Sequence, residues 1–251
     1  MFAWKCWRET RASFFFLLIL SLAPAILFVL APGIKEQNGW WSFDRREYTH
    51  DPALMVRTMS SMVLSVIFGS GFLAGAFLGA TASGSELDPG TIEYLWTRPR
   101  PRASFTWTHW GICVVEIILI TTIPAYLAAT LLGTLTGNWN QPVLLTAPWL
   151  VALVGLPMLG LTTAATAVRR SATGGLFLSS GIVISYVVLR QIAVGPLHLN
   201  FPTVFGGPVR WLFLYYTTEP MLFPWSSVVT IVVFAIVFPF AAQYLLKSAE
   251  V

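Results

Sequence analysis

Residues Thr58 to Ser85 read TMSSMVLSVIFGSGFLAGAFLGATASGS, twenty-eight residues without a charge. A helix needs roughly 20 apolar residues to cross the hydrocarbon core of a bilayer, so this stretch predicts a transmembrane span. Four more uncharged windows share its character: 12–34, 117–168, 171–189 and 220–246. The window 117–168 is too long for one span. It holds most of one, a turn supplied by Asn138, Trp139, Asn140 and Pro142, and a second. Six spans follow, near 13–31, 59–81, 108–133, 145–167, 174–195 and 226–246. A transmembrane barrel would need polar–apolar alternation in segments of about ten residues; these windows are longer and uniformly apolar. The fold class is therefore all-α, one transmembrane domain over 1–251, with each span satisfying its own backbone hydrogen bonds.

Composition agrees. Charged residues make up 10% of the chain, against about 25% in a typical soluble domain. With the N-terminus inside, inner segments hold Lys5, Arg8, Arg11, Arg98, Arg100, Arg102, Arg169, Arg170 and Lys247. Outer segments hold Lys35, Arg45, Arg46, Arg57 and Arg210. The inner excess follows the positive-inside rule, so the net charge of +4 is a topology signal and not a nucleic-acid footprint. Tryptophans fall near span ends, Trp4, Trp7, Trp107 and Trp110 inside and Trp40, Trp41, Trp139, Trp211 and Trp225 outside, as an interfacial belt. Both termini are expected in the cytoplasm, and the membrane is the cytoplasmic (inner) one. The first apolar run is longer than the apolar core of an ordinary cleavable signal, so it is read as a span. Cys6 and Cys113 both map to the inner side, where no structural disulfide is expected.

Between spans two and three lies a polar island, Glu86 to Arg102, reading ELDPGTIEYLWTRPRPR. Asp88 followed by Pro89 is a helix start, a capping carboxylate and then proline at the first helical position; Ser85 with Asp88 offers a capping box instead. Pro99 ends the helix. Ile92, Leu95 and Trp96 form an apolar stripe. Arg98, Arg100 and Arg102 alternate with Pro99 and Pro101 as a stiff extended strap. Physics alone leaves two readings: a surface anchor with its arginines on anionic lipid, or a docking helix for a cytoplasmic partner.

The run Glu86-x-x-x-Gly90-Thr91-Ile92-Glu93-x-Leu95, then Pro99-x-x-Arg102, resembles the cytoplasmic signature of the type-two ATP-binding-cassette (ABC) exporter permeases. The layout is similar too: an N-terminal interfacial helix, six spans, and a broken outer segment before span six. Ile92 stands where leucine is common, and Thr108 and His109 stand where a lysine often opens span three. The resemblance implies that the island is a coupling helix seated in a groove of a separate cytoplasmic ATPase subunit. Ile92, Leu95 and Trp96 would be the docking face, with Glu86, Glu93, Arg98 and Arg102 orienting it by charge. It further implies a pair of permease subunits, most simply a homodimer, with spans two and five lining the path. The chain lacks a Gly-x-x-x-x-Gly-Lys-Ser/Thr phosphate loop, so ATP and Mg belong to the partner and this chain needs no cofactor of its own. The importer-type Glu-Ala-Ala…Gly loop is also missing, which favours export.

Other features are read from residue chemistry. Gly71, Gly75 and Gly79, four apart in span two, let another helix approach closely, either within the chain or in a second copy. Pro24, Pro124, Pro157 and Pro239 fall inside spans and are candidate kinks. Phe2 to Ala12 reads either as a short surface helix with Trp4, Trp7 and Phe14 toward lipid and Lys5 and Glu9, one turn apart, toward water, or as a plain anchoring flank of span one. The loop 32–58 carries mixed charge and suits a small cap or no regular structure. The segment 196–225 is too apolar for a solvated loop and too broken by Pro and Gly for a span, so short interfacial or re-entrant helices are expected, or an amphipathic loop resting on the outer interface.

Two charges lie inside spans. Glu116 sits about 9 Å beyond Trp110 and Arg190 about 24 Å beyond Gly174, both from the inner side. A depth difference of about 15 Å rules out a direct pair. Arg190 reaches the outer face by snorkelling; Glu116 is open to three readings, a protonated acid, a hydrogen bond to a neighbouring helix, or a wall of a wet cavity. His50, His109 and His198 have no metal-ligand spacing, and no nucleophile elbow is present, so neither a metal site nor catalytic residues are expected. The leading function is an ABC exporter permease subunit. The competing functions are an ion-coupled secondary transporter using Glu116, marked by insensitivity to ATP depletion, and a non-transporting membrane anchor.

Overall fold

A computed structural model describes residues 2–37, 40–45, 52–84, 102–139, 142–198 and 225–248. Each of the six expected spans falls within one helix, to within a residue or so. The helices are α1 (Phe2–Leu30), α2 (Pro52–Gly84), α3 (Arg102–Thr136), α4 (Pro142–Arg169), α5 (Ala172–Val194) and α6 (Trp225–Ser248). All six are long and apolar enough to cross a bilayer, the architecture of a multi-pass membrane protein. The helices run unbroken through Pro24, Pro124, Pro157 and Pro239.

Helix starts and stops have local causes. Proline opens α2 and α4, at Pro52 and Pro142, where its missing N–H costs nothing. Gly137, at φ 73°, ends α3 in the left-handed conformation, its N–H donating to the Gly133 carbonyl at 2.9 Å. Trp139 then folds back over Gly133, where a Cβ would come within 2.7 Å of the indole. The α4–α5 turn is two residues, Arg170 and Ser171, with the Ser171 hydroxyl capping α5 by accepting from the Gly174 N–H at 3.2 Å.

Three departures from the sequence reading stand out. First, no separate interfacial helix precedes span one: Phe2 to Leu30 is a single helix, about 44 Å long at 1.5 Å per residue. That exceeds a core of roughly 30 Å, so its first turns continue the axis of the span. Cys6, Thr10, Phe14, Leu17 and Ser21 form one buried stripe along it, and the side facing protein includes Phe14, assigned above to lipid. Second, Arg102 belongs to no extended strap; it is the first residue of α3. Third, the loop after span one contains a β-hairpin. A 3₁₀ turn (Ala31–Gly33) leads into β1 (Ile34–Gln37), which pairs antiparallel with β2 (Trp40–Phe43) in the register Ile34↔Phe43 to Gln37↔Trp40. The hairpin is tied down at both ends of its base: the Asp44 N–H donates to Gly33 O at 2.6 Å, and Arg45 Nη2 donates to the Thr134 carbonyl at the end of α3, also at 2.6 Å. The short helices expected in 196–225 fall mostly on 199–224, outside the described residues.

The bundle is built around α2 and α4. Of the α4 span 72% is buried, against 17% for α5 and 22% for α6; α4 packs on α2, α3, α5 and α6, while α1 packs on α2 and α3. Glycines permit this. A Cβ on Gly75 would lie 2.3 Å from the Gly155 carbonyl oxygen, one on Gly79 2.6 Å from that of Leu159, and one on Gly155 2.7 Å from that of Gly71. The Gly71–Gly75–Gly79 stripe is therefore spent on α4 of the same chain. Two apolar clusters fill the bundle along its length. Ala25, Val29, Val56, Met59, Ile67, Ala125 and Leu132 gather toward one end, and Phe14, Leu17, Leu78, Ala82, Cys113 and Ile117 toward the other.

This packing sets which helix ends lie together. Thr163 reaches the Gly79 carbonyl at 3.5 Å, Cys113 Sγ lies 3.9 Å from Leu78 O, and the rings of Trp107 and Phe240 are 5.2 Å apart. The start of α1, end of α2, start of α3, end of α4 and end of α6 therefore share one end of the bundle. Exposed Arg8, Arg11, Arg169 and Arg170 lie there, and the chain leaves α2 and enters α3 there. The hairpin occupies the opposite end.

Gly75→Val should lower stability by about 3 kcal/mol through overpacking, read as thermal unfolding in detergent. Gly69, whose added Cβ meets nothing within 4 Å, should accept alanine with no loss.

Candidate functional site

The polar chemistry inside the bundle concentrates where α1 meets α3, near the basic end. Residues four apart on α1, Cys6 and Thr10, lie one above the other on its buried face. On α3, His109, Cys113 and Glu116 repeat at the i, i+4, i+7 spacing that keeps side chains on one helical face. All five are at most 2% exposed. Lys5 and Glu9, on a neighbouring strip of α1, form an i,i+4 ion pair at 3.8 Å. Among the described residues no three His, Cys, Asp or Glu side chains converge as metal ligands, and neither Cys6 nor Cys113 is in a disulfide.

Glu116 is the centre of this region. Its Oε1 accepts from Thr10 Oγ1 at 2.5 Å, across the helix interface. The same hydroxyl lies 3.2 Å from Cys6 O and 3.5 Å from Trp7 O. A threonine hydroxyl has one hydrogen, so the short contact to Glu116 competes with the back-bond to the preceding turn. Further along the seam, one turn on along α3 and about three along α1, Ser21 Oγ donates to the Ile120 carbonyl at 3.2 Å. Two polar staples thus hold α1 to α3 in a region otherwise packed by Phe14, Leu17 and Ile117. The second carboxyl oxygen, Glu116 Oε2, is buried without a hydrogen-bond partner.

Glu116 also lines a cleft of about 310 Å³ between α1 and α3, with Trp7, Trp107, Thr108, Gly111, Ile112, Val115 and Leu119 as its other walls. Trp7 is fixed edge-on against Phe14 (centroids 5.4 Å apart) and Trp107 against Trp110 (5.9 Å) and Phe240 (5.2 Å). Val115 and Leu119 are 55% and 38% exposed, so the cleft opens sideways at the depth of the apolar span. Of the three readings of Glu116, a hydrogen bond to a neighbouring helix is present, and so is a cavity wall, although the cavity is mostly apolar.

Arg190, the other intramembrane charge, is half-buried on α5, four residues or about 6 Å from its end at Val194, within snorkelling range of that end. It lies on a different helix from Glu116, and the two form no ion pair. Gly71, Gly75 and Gly79 sit in the α2–α4 contact described above. The island residues Glu86, Gly90, Thr91, Ile92, Glu93, Leu95, Trp96 and Arg98 lie outside the described residues; Arg102 opens α3.

The sequence reading took Glu116, Cys113 and His109 one at a time, did not single out Thr10, and missed that α1 and α3 bring them to one seam. The spacing 6/10 on one helix and 109/113/116 on the other was the available signal: polar or soft residues at heptad-like positions in apolar helices mark a helix–helix seam.

Thr10→Val strips Glu116 of its donor and should destabilise the chain by about 1–3 kcal/mol. Adding Glu116→Met should recover most of that loss, because removing both partners leaves nothing unsatisfied. A double-mutant cycle by equilibrium unfolding in mixed micelles checks this; additive losses would show that the two residues are not coupled.

The chain matches no protein-family model, and comparison with curated proteins and with solved structures gives no significant match.

Proposed function

We propose that this chain is the membrane-spanning permease subunit of an ABC exporter in the cytoplasmic membrane, working as a homodimer above two copies of a separate ATPase. The observation that carries this reading is the segment Glu86 to Arg102, with its Glu-x-x-x-Gly-Thr-Ile-Glu-x-Leu run and following Pro-x-x-Arg. Its attachment points support the reading. Gly84 and Arg102 lie at the end of the bundle that also carries Arg8, Arg11, Arg169 and Arg170, and an excess of arginine and lysine marks a cytoplasmic face. The hairpin end then faces outward and both termini lie inside.

In this reading residues 89–98 form the coupling helix, with Ile92, Leu95 and Trp96 in a groove of the ATPase and Glu86, Glu93, Arg98 and Arg102 setting orientation. The first turns of α1 stand at the inner surface, Trp4 toward lipid. ATP and Mg are bound by the partner, and this chain converts the partner's closing motion into alternating access. Because the glycine stripe of α2 is occupied by α4, the second copy must dock on another face. α5 offers one: Phe177 and Ile184 are 77% and 64% exposed, and most of that helix is uncovered.

Co-expression with the ATPase tests the proposal. Replacing Leu95 and Trp96 with Asp should abolish co-purification of the ATPase, or leave a complex whose ATP hydrolysis no longer drives transport. Assembly and transport at wild-type levels in that variant would overturn the docking assignment.

A further inference from the structure

We propose that the cleft between α1 and α3 is a binding site for an amphipathic organic ammonium ion, with the Glu116 carboxylate as its counter-charge and the indoles of Trp7 and Trp107 as its aromatic walls. The site is argued from this chain alone and holds whether or not an ATPase drives it.

Three observations fix the chemistry. Glu116 is 2% exposed, yet Oε2 has no hydrogen-bond partner. A carboxyl placed among apolar helices is retained at a cost and calls for a donor or a positive charge. Oε2 itself is covered, so an ammonium ion reaches it only as the cleft wall yields; one of its N–H groups then supplies both, leaving Oε1 on Thr10. Trp7 and Trp107 line the same cleft as Glu116, and an indole face attracts a cation more strongly than any other side-chain ring. The remaining walls include Ile112, Val115 and Leu119, apolar side chains that suit the ligand's hydrocarbon part.

Size and access narrow the class. A volume of about 310 Å³ falls at the small end of ligand pockets and suits an amine carrying one ring and a short chain. The opening lies beside exposed Val115, so the ligand arrives from the apolar layer and must itself partition into it. A bare metal ion is a poor fit, since a single carboxyl in an apolar cleft lacks the oxygen ligands a hard cation requires.

The test uses the full chain in phosphatidylcholine nanodiscs, without an ATPase, so that its failure is distinct from failure of the exporter reading. Equilibrium dialysis measures binding of 4-phenylbutylammonium and of its neutral counterpart 4-phenylbutanol, with empty nanodiscs as background. The ammonium ion should bind saturably and the alcohol should only partition. Glu116→Gln keeps the acceptor for Thr10 but removes the charge, and should weaken ammonium binding about tenfold or more. Gly111→Leu places a side chain where a Cβ meets nothing within 4 Å, and should block the cleft without disturbing helix packing. Equal binding by wild type and either variant, saturable binding of the alcohol with the same affinity, or no saturable binding of the ammonium ion would overturn the assignment.

Discussion

Backbone contact between α2 and α4 is the constraint on which the bundle depends. In a membrane no hydrophobic force draws apolar helices together, because lipid solvates them equally well; close van der Waals packing must do it. The carbonyls of Gly71, Gly155 and Leu159 occupy space that any side chain at the facing glycine would fill. That contact makes α4 the most buried span and leaves α1, α3, α5 and α6 to pack around the pair. It also aligns α2 and α4 in the same direction, so that the ends of both, and the starts of α1 and α3, meet at one face. The position of the basic end, and of Gly84 and Arg102 on it, follows from that alignment.

Polar contacts add what close packing alone does not. The α1–α3 seam carries Thr10–Glu116 and Ser21–Ile120, and the α4–α5 seam carries Thr162–Ser179 at 3.1 Å. Interhelical hydrogen bonds of this kind contribute on average about 0.6 kcal/mol each, too little to assemble the bundle. Their effect is on register: a helix shifted by one residue would leave each donor facing hydrocarbon. The Glu116 carboxyl is the exception to this economy. A threonine or glutamine would hold α1 to α3 as well, without the desolvation cost of an acid, so holding the helices together does not account for a glutamate at this position.

The spans were legible because length and charge-free composition suffice to identify them, and the tight turns announced themselves through Asn138–Pro142 and the Arg169–Arg170 pair. Their ends were less legible, since hydropathy falls before the helix does: α2 starts at Pro52 and α3 at Arg102, where polar residues extend apolar helices beyond the bilayer core. Asp51-Pro52 carries the same cap-and-proline signal that was read at Asp88-Pro89. The hairpin realises one of the two readings of the loop 32–58, a small cap; its strands were not foreseen, although Asn38-Gly39, the pair most favoured in two-residue hairpin loops, stands between them in the sequence. Counting residues gives Glu116 a depth along its own helix, but that says nothing about which residue of another helix it meets. That depends on the rotation of α1, which the buried stripe Cys6, Thr10, Phe14, Leu17, Ser21 encodes and which the Trp–Lys pattern of its first turns obscured.

The proposed coupling segment and the proposed cleft are mechanically adjacent. Trp107 lies five residues, about 7.5 Å of helical rise, beyond Arg102, and Glu116 lies two and a half turns further on the same helix. An α-helix transmits axial and rocking displacements over such a distance as a nearly rigid element, because its hydrogen bonds close within the segment. The opposite wall of the cleft, Trp7, sits on α1, which leads into the hairpin and is a different helix from the one Arg102 opens. A push delivered at Arg102 would therefore move Trp107 and Glu116 relative to Trp7 and strain the Thr10–Glu116 bond, the shortest polar contact across that seam. Opening the cleft and releasing the carboxyl would then be one motion, which gives an acid at position 116 a use that a packing residue does not have.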